Sequence, residues 1–443
     1  MFSQFKNHIE TNLSFLKESK LLIAISGGVD SVVLAYLCKD AGLDIALAHC
    51  NFNLRGKESD EDQRYVEALG LKLNIETFVQ EFDTKNYANA NKLSTQMAAR
   101  DLRYEWFDDL CERLNFDYIL TAHHADDNLE TFLINLSRGS GLEGLTGIPE
   151  VNGNIVRPLL SFSRQDILDF TQEFKIRWRE DRSNASTKYL RNKLRHEVIP
   201  ILKGINPQML KNFTETIDYL KDAKQIIEDR IDEVSDKIIE VRSNGIYLNI
   251  DVITSQNNPK AYLYELLKNY GFTEWNDVAN LLNAQSGTQV FSNEWRLLKD
   301  RDQLVLVEKK EFNKEKIFVQ EGVSIVDTSM GKLSLQLVEK EDIIPNKKNA
   351  IFVDANKLQF PLVIRKWNKG DYFYPFGMKG KKKLSKYFKD EKFSLIDKEE
   401  VQLLCSDGDI VWILGNRSDN RYKVINSTNS VLQICYESKV SLH

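Results

Sequence analysis

The stretch LLIAISGGVDSVVLAYLC, residues 21–38, decides how the rest of this chain is read. An apolar run stops at Ser26-Gly27-Gly28, and a second apolar pattern begins beyond Asp30-Ser31. The first predicts a buried strand over 20–25. The second predicts a helix over 29–41 with its apolar face on that strand. Glycines between a strand and a helix let backbone N–H groups approach an anion, and the helix dipole adds positive potential at the same point. Ser26, Gly27, Gly28, Val29, Asp30 and Ser31 are therefore a candidate phosphate loop, with an ordinary strand-to-helix turn as the plain alternative. The loop has neither the Gly-Lys-[Ser/Thr] of a Walker A loop nor GxGxxG spacing.

Working outward, the first 150 residues alternate between strand and helix patterns. Strands are expected at 44–49, 72–78 and 117–121, and helices at 59–70, 91–114 and 126–137. Such alternation means βαβ units and a parallel sheet. Further helices are expected at 163–174 and 187–203, and Ile205-Asn206-Pro207 reads as a boundary. A long charged helix at 208–240 precedes a mixed region to 310. Residues 311–345 alternate as strands do, and the last hundred residues read as a strand-rich module with one helix at 383–390. The expected fold class is α/β: an N-terminal parallel-sheet nucleotide-binding domain (1–206), then two smaller α+β domains (207–345 and 346–443).

The 443 residues carry 60 basic and 65 acidic side chains, a net charge of -5, so any nucleic-acid contact must come from local patches. No apolar run approaches the roughly 20 residues of a membrane span. The start, MFSQFKNHIETNLSF, lacks the pattern of a secretory signal, and the expected location is cytoplasmic. Five dispersed cysteines form no CxxC pair, against a disulfide framework or a cysteine zinc site.

Ligands of such sheets sit outside the carboxyl ends of the strands. HCNFNLRGKESDED begins at the end of the second strand, so His49, Asn51 and Arg55 lie where a nucleotide would bind. AARDLRYEWF places Arg100 and Arg103 three residues apart on one helix face, with Tyr104 beside them. TAHHADDNLETF sets His123, Asp126, Asp127 and Glu130 at a strand end and the next helical turn, where carboxylates suit a cation or a helix cap. Arg191, Lys193, Arg195 and His196 alternate with apolar residues, as on a basic helix. From Arg365 to Lys392 there are ten basic and three acidic residues, with Trp367, Tyr372, Phe373, Tyr374 and Phe376 among them. Some of these aromatics must be core, whereas the adjacent Lys381, Lys382 and Lys383 have little structural use.

SGGVDS after a buried strand resembles the pyrophosphate loop of the N-type ATP pyrophosphatases. Together with NLRG, the Arg100–Tyr104 helix, HHADDN-ET, SRGSG, RPLL at 157–160, DRSN…RN..RH…P, and GDYFYPFGMKGKKKL near the far end, the chain closely resembles the tRNA(Ile)-lysidine synthetases. The resemblance reaches both ends, while about 210–345 matches in character only. Asn53 departs from the family pattern.

The resemblance implies ATP as substrate, Mg²⁺ as cofactor, and L-lysine and the CAU-anticodon tRNA(Ile) as partners. Carbon 2 of the wobble cytidine would exchange its oxygen for the lysine ε-amine through an adenylated intermediate, shifting decoding from AUG to AUA. It also implies roles. Ser26 to Ser31, His49, Arg55 and Arg100 would bind ATP. Asp30, Arg103 and Asp127 would be catalytic, and Asp126, Asp127 and Glu130 would hold lysine or metal. Arg191, Arg195, His196, Lys381, Lys382 and Lys383 would contact tRNA. A homodimer is among the open oligomeric states. The competing readings are a glutamine-dependent amidotransferase, a tRNA thiolation enzyme, an NAD synthetase-like enzyme and a non-catalytic RNA-binding protein. The first lacks an N-terminal cysteine here, the second a CxxC pair, the third a use for the basic C-terminal segment, and the last a use for Asp30.

Overall fold

The computed structural model describes residues 1–179, 190–309, 316–343 and 349–438, which form two compact units, 1–227 and 228–443. In the first unit the order is α1 (Phe2–Asn12), β1 (Lys20–Ala24), α2 (Val29–Asp40), β2 (Asp44–Asn51), α3 (Lys57–Leu73), β3 (Thr77–Glu81), α4 (Thr84–Ala90), α5 (Thr95–Leu114), β4 (Tyr118–Leu120) and α6 (Ala125–Ser137). Then come α7 (Leu142–Leu145), β5 (Val151–Asn152), β6 (Ile155–Val156), α8 (Arg164–Glu173), α9 (Leu190–Lys193), α10 (Ile199–Ile205) and α11 (Met209–Ile238), which runs on into the second unit. The strand order is β3-β2-β1-β4-β6-β5, and every pair is parallel except β5 with β6.

β1 is the centre because it is apolar on both sides. Alternate side chains of a strand point to opposite faces. Leu21 and Ile23 join Val32, Leu34, Val66 and Ile167 on the face covered by α2, α3 and α8. Leu22 joins Ala46, Phe107, Leu110 and Ile119 on the face covered by α5. The chain leaves β1 toward β2 and β3, then returns to place β4 on β1's other side. The order therefore reverses between β1 and β4, and a crevice forms outside their carboxyl ends.

Two expected elements are displaced. The third strand begins at Thr77, not 72, because Leu71 to Leu73 complete α3 and Asn74 caps it in the left-handed conformation (φ 52°). The helix expected at 91–114 begins at Thr95, where the Ser94 hydroxyl accepts the Met97 N–H, and 84–90 form a separate helix. Residues 187–189 of the expected 187–203 helix lie outside the described residues, and Leu194–Val198 widens into a π turn between α9 and α10. The break at Ile205-Asn206-Pro207 separates α10 from α11. The first half of α11 still packs Phe213 and Ile217 against Leu129, so the first unit continues to Ile227.

The second unit contains a sheet of order β7-β8-β11-β10-β9 (β7 Ile239–Arg242, β8 Gly245–Asn249, β9 Gln289–Phe291, β10 Trp295–Asp300, β11 Gln303–Glu308), antiparallel throughout. Two further four-stranded antiparallel sheets enclose a core around Leu333, Ile364, Trp412 and Ile434. The expected helix at 383–390 is present as Leu384–Asp390. The expected boundary at 345 lies outside the described residues. Among the described residues no helix is long and apolar enough to cross a membrane.

Because Leu22 is fully buried between β1 and α5, Leu22→Ala should cost the first unit about 2–5 kcal/mol. Urea denaturation followed by amide hydrogen exchange in β1 and α5 measures it. A loss under about 1 kcal/mol would contradict this packing.

Candidate active site

The loop after β1 owes its shape to a few small groups. Gly27 sits at φ 88°, a conformation costly for other residues, and a Cβ there would meet only ordinary contacts, so the backbone angle is what requires glycine. The Ser31 hydroxyl lies 3.2 Å from the Ser26 N–H, which donates to it, and itself donates to the Gly28 carbonyl at 3.1 Å. Gly28 is the N-cap of α2. The first N–H groups of α2 have no intrahelical acceptor and stand just beyond the carboxyl end of β1, where an anion can take them. The Arg179 N–H holds the Gly27 carbonyl from behind at 3.0 Å.

Asp30 stands in the first turn of α2. Its Oδ2 lies 3.5 Å from Arg164 Nη1 and its Oδ1 3.8 Å from His124 Nε2, beyond hydrogen-bond length in both cases. Oδ1 is buried with no hydrogen-bond partner among the described residues. Burial pushes this carboxyl above its ordinary value, and His124 and Arg164 only partly offset it.

Across the crevice, α6 starts with its own carboxylates. His124 caps it: Nδ1 accepts the Asp127 N–H at 3.4 Å, which leaves the ring proton on Nε2, toward Asp30 and Asp127 Oδ2. Asp126 accepts the Arg164 N–H at 2.9 Å and the Lys203 ammonium. Burial would raise its pKa, but these two donors bring it below the ordinary value. Asp127 Oδ1 accepts from Arg195 Nη2 at 2.9 Å. Glu130 is only 1% exposed and is clamped by Arg191 Nε at 2.9 Å and Arg195 Nε at 2.6 Å. His123, hydrogen-bonded to Thr121, is pushed down to about 4, chiefly by burial against an opposing Asp127, so it is neutral at physiological pH.

The rest of the expected nucleotide site lies around β2 and α5. His49 is buried with Nδ1 donating to the Ile25 carbonyl at 2.9 Å, and burial lowers its pKa. Arg55 reaches Asp62 at 2.9 Å, and Arg179 Nε binds the other oxygen of the same carboxylate at 2.5 Å. Asn53 occupies a left-handed turn (φ 51°), which asparagine tolerates, so its departure from the family pattern suits the backbone here. Arg100 and Arg103 are exposed and lie over the Tyr104 and Phe52 rings, with no ion pair among the described residues.

The structure thus gathers Asp30, Asp126, Asp127 and Glu130 at one crevice and brings Arg191 and Arg195 onto the acids rather than onto a separate surface. His196 is exposed on the π turn. Of the DRSN segment, residues 181–184 lie outside the described residues. Arg164 and Lys203 carried no signal in the sequence: only the return of α8 and α10 to the crevice brings them to Asp30 and Asp126. Among the described residues no group of three or more His, Cys, Asp or Glu side chains is arranged to hold a metal ion by itself.

In the second unit, the basic segment divides. Phe373 is fully buried, and Trp367 donates to the Lys398 carbonyl and packs on Phe388. Tyr372 and Phe376 are 42% and 49% exposed. Lys382 is half-buried and paired with Asp390 at 2.8 Å, whereas Lys381 and Lys383 are exposed, Lys381 over the Tyr372 ring.

Residues 1–202 match the family described as PP-loop domain, 241–309 the TilS substrate binding domain, and 362–434 the TilS substrate C-terminal domain. The chain is 40% identical to a tRNA(Ile)-lysidine synthase of Bacteroides thetaiotaomicron, over 96% of this chain and 97% of that protein. It is 40% identical to the protein of the same name from Parabacteroides distasonis (98% and 99% covered), and 37% identical to one from Porphyromonas gingivalis (91% of each). A chain that keeps this identity across nearly its whole length, with a phosphate loop and an acid-lined crevice at the sheet's reversal point, belongs to the tRNA(Ile)-lysidine synthase family.

Proposed function

We propose that this chain makes lysidine: it joins L-lysine to carbon 2 of the wobble cytidine in the CAU anticodon of tRNA(Ile), consuming ATP and releasing AMP and pyrophosphate. The observation that carries the reading is the crevice between β1 and β4, with a phosphate loop on one wall and four carboxylates around it. Cytosine oxygen 2 is a poor leaving group, and adenylation turns it into AMP. The loop N–H groups and the α2 dipole stabilise charge as it develops on pyrophosphate. An anticodon loop offers its bases already single-stranded, so the cytidine enters at low unstacking cost.

The buried, unpaired Oδ1 of Asp30 fits Mg²⁺, which takes one or two carboxylates and completes its shell with water and substrate phosphates. Bound there, the ion would neutralise charge on the triphosphate. Asp127 and Glu130 already carry guanidinium partners, so a lysine ammonium must share them with Arg191 and Arg195. We assign lysine binding to this arginine-bridged pair, and the nucleotide to the loop with His49 and the exposed Arg100 and Arg103. The 1–202 segment is the catalytic part, and the two C-terminal segments serve tRNA. The thiolation alternative needs a reactive thiolate. Burial instead pushes the Cys50 thiol up to about 12 and Cys111 to about 11.

The direct test incubates the protein with ATP, each labelled amino acid in turn, and CAU-anticodon tRNA(Ile). Lysine alone should enter RNA, with AMP formed in equal amount. Incorporation of sulfur, of another amino acid, or of nothing would refute the reading.

The second test addresses the C-terminal segment. Replacing Lys381 and Lys383 together by Ala should weaken tRNA binding and reduce its log-log salt slope by about 0.7–0.9 per lost phosphate contact. Lys382→Ala should change the slope less, because Asp390 already takes that charge. An unchanged affinity and slope in the double variant would leave the patch without an RNA role.

A further inference from the structure

Arg157 follows β6 directly and is the one buried arginine among the described residues: only 8% of it is exposed. Its backbone closes the preceding turn, the N–H donating to the Glu150 carbonyl at 2.9 Å, and Nη1 donates to the Pro149 carbonyl at 2.7 Å. Nε is buried with no partner, and no carboxylate among the described residues pairs with the guanidinium. A buried cation without a counter-ion is costly. Burial accordingly pulls this guanidinium below its ordinary pKa, with Tyr104 opposing and Arg100 adding to the effect.

Its position is informative. Leu120 of β4 is level with Val156 of β6 and with Ile23 of β1, so Arg157 stands at the same carboxyl edge as the phosphate loop. It is two strands away, roughly 10 Å by strand spacing. His123 lies within its electrostatic reach, as do Tyr104 and Arg100 from α5. Arg157 and Arg100 make this side of the crevice positive, whereas the acids at Asp126, Asp127 and Glu130 already carry cation partners.

We infer that Arg157, with Arg100 at the exposed lip, is a second anion seat of the crevice that takes a phosphate group of a bound substrate. Guanidinium suits this role because its planar fork matches phosphate oxygens, and a buried fork gives the contact without competition from water. Two sources present that chemistry: the α-phosphate of the nucleotide, which leaves as AMP, and the tRNA backbone beside the target cytidine. The inference rests on the lysidine-forming reading, but its test reads binding and not product.

Arg157→Gln keeps a donor for Pro149 and removes the charge, so it separates a bond that merely closes the turn from an anion seat. In the full-length protein we expect a folded variant whose affinity for one ligand falls roughly 10- to 100-fold, the range for one charged hydrogen-bonding group. Equilibrium dialysis with ATP alone identifies the nucleotide as source. A fall in tRNA affinity and in salt slope, with ATP binding intact, identifies the backbone. Arg157→Lys should recover part of the loss by restoring charge. If Arg157→Gln binds ATP and tRNA within twofold of the parent, the seat does not exist. If Arg157→Gln does not fold, Arg100→Gln on the exposed lip carries the test, and unchanged binding of both ligands then overturns the proposal. If the parent itself forms no lysidine, the functional reading fails independently of these binding results.

Discussion

Four carboxylates at one end of a parallel sheet must be kept from repelling each other in partly buried surroundings, and the first unit is organised around that constraint. Burying an ion costs several kcal/mol unless it is paired and hydrogen-bonded. Asp126 has Lys203 and a backbone N–H, Asp127 has Arg195, and Glu130 has Arg191 and Arg195. All three of these cations come from the segment 190–205, so α9, the π turn and α10 must return to α6. Ile199 supplies the apolar part of that return, packing in the cluster of Leu129, Phe213 and Ile217. Breaking one such pair leaves the other charge buried and exposed to no partner, which is why the cluster couples the end of the unit to its centre.

Asp30 is the exception. Its partners are at 3.5 and 3.8 Å, and one oxygen has no donor among the described residues. Arg157 is the complementary exception, a buried cation with no paired acid among the described residues. Among the described residues the crevice thus holds one unsatisfied negative group beside the phosphate loop and one unsatisfied positive group across β4. A substrate that brings both a cation and phosphates into the crevice satisfies each of them. Groups left uncompensated in the free protein are where binding free energy is concentrated.

Much of this was legible from residues 21–38 and the alternation that follows. The strand over 20–25 and the helix over 29–41 stand within one residue of their expected ends, because a buried central strand and its covering helix are both dictated by apolar patterning. The third strand was displaced because Leu71 and Leu73 extend the apolar pattern that helix and strand share, and only the left-handed Asn74 divides them. The acids of HHADDN-ET were readable as a cluster, but their partners were not. Arg191 and Arg195 look like a basic helix in sequence, since pairing across 61 to 68 residues has no local signature. Lys382 likewise differs from Lys381 and Lys383 only through Asp390, one helix away. Arg157 stood in a recognisable RPLL motif, yet its isolation from the carboxylates of the described residues is a property of the folded crevice alone.

The claim that Asp30 is the uncompensated charge of the crevice has a sign that can be measured. Its carboxyl is raised above the unfolded value of 3.8, so ionising it costs the folded state stability as pH rises through the folded pKa. Asp30→Asn removes that charge while keeping the side chain's shape. The thermal midpoint of the ligand-free protein should rise at neutral pH. The gain should shrink as pH falls toward 3.8, and stabilisation of the protein by added Mg²⁺ and ATP should be lost. A variant that melts below the parent at neutral pH, or that is still stabilised by Mg²⁺ and ATP to the parent's extent, would contradict the account.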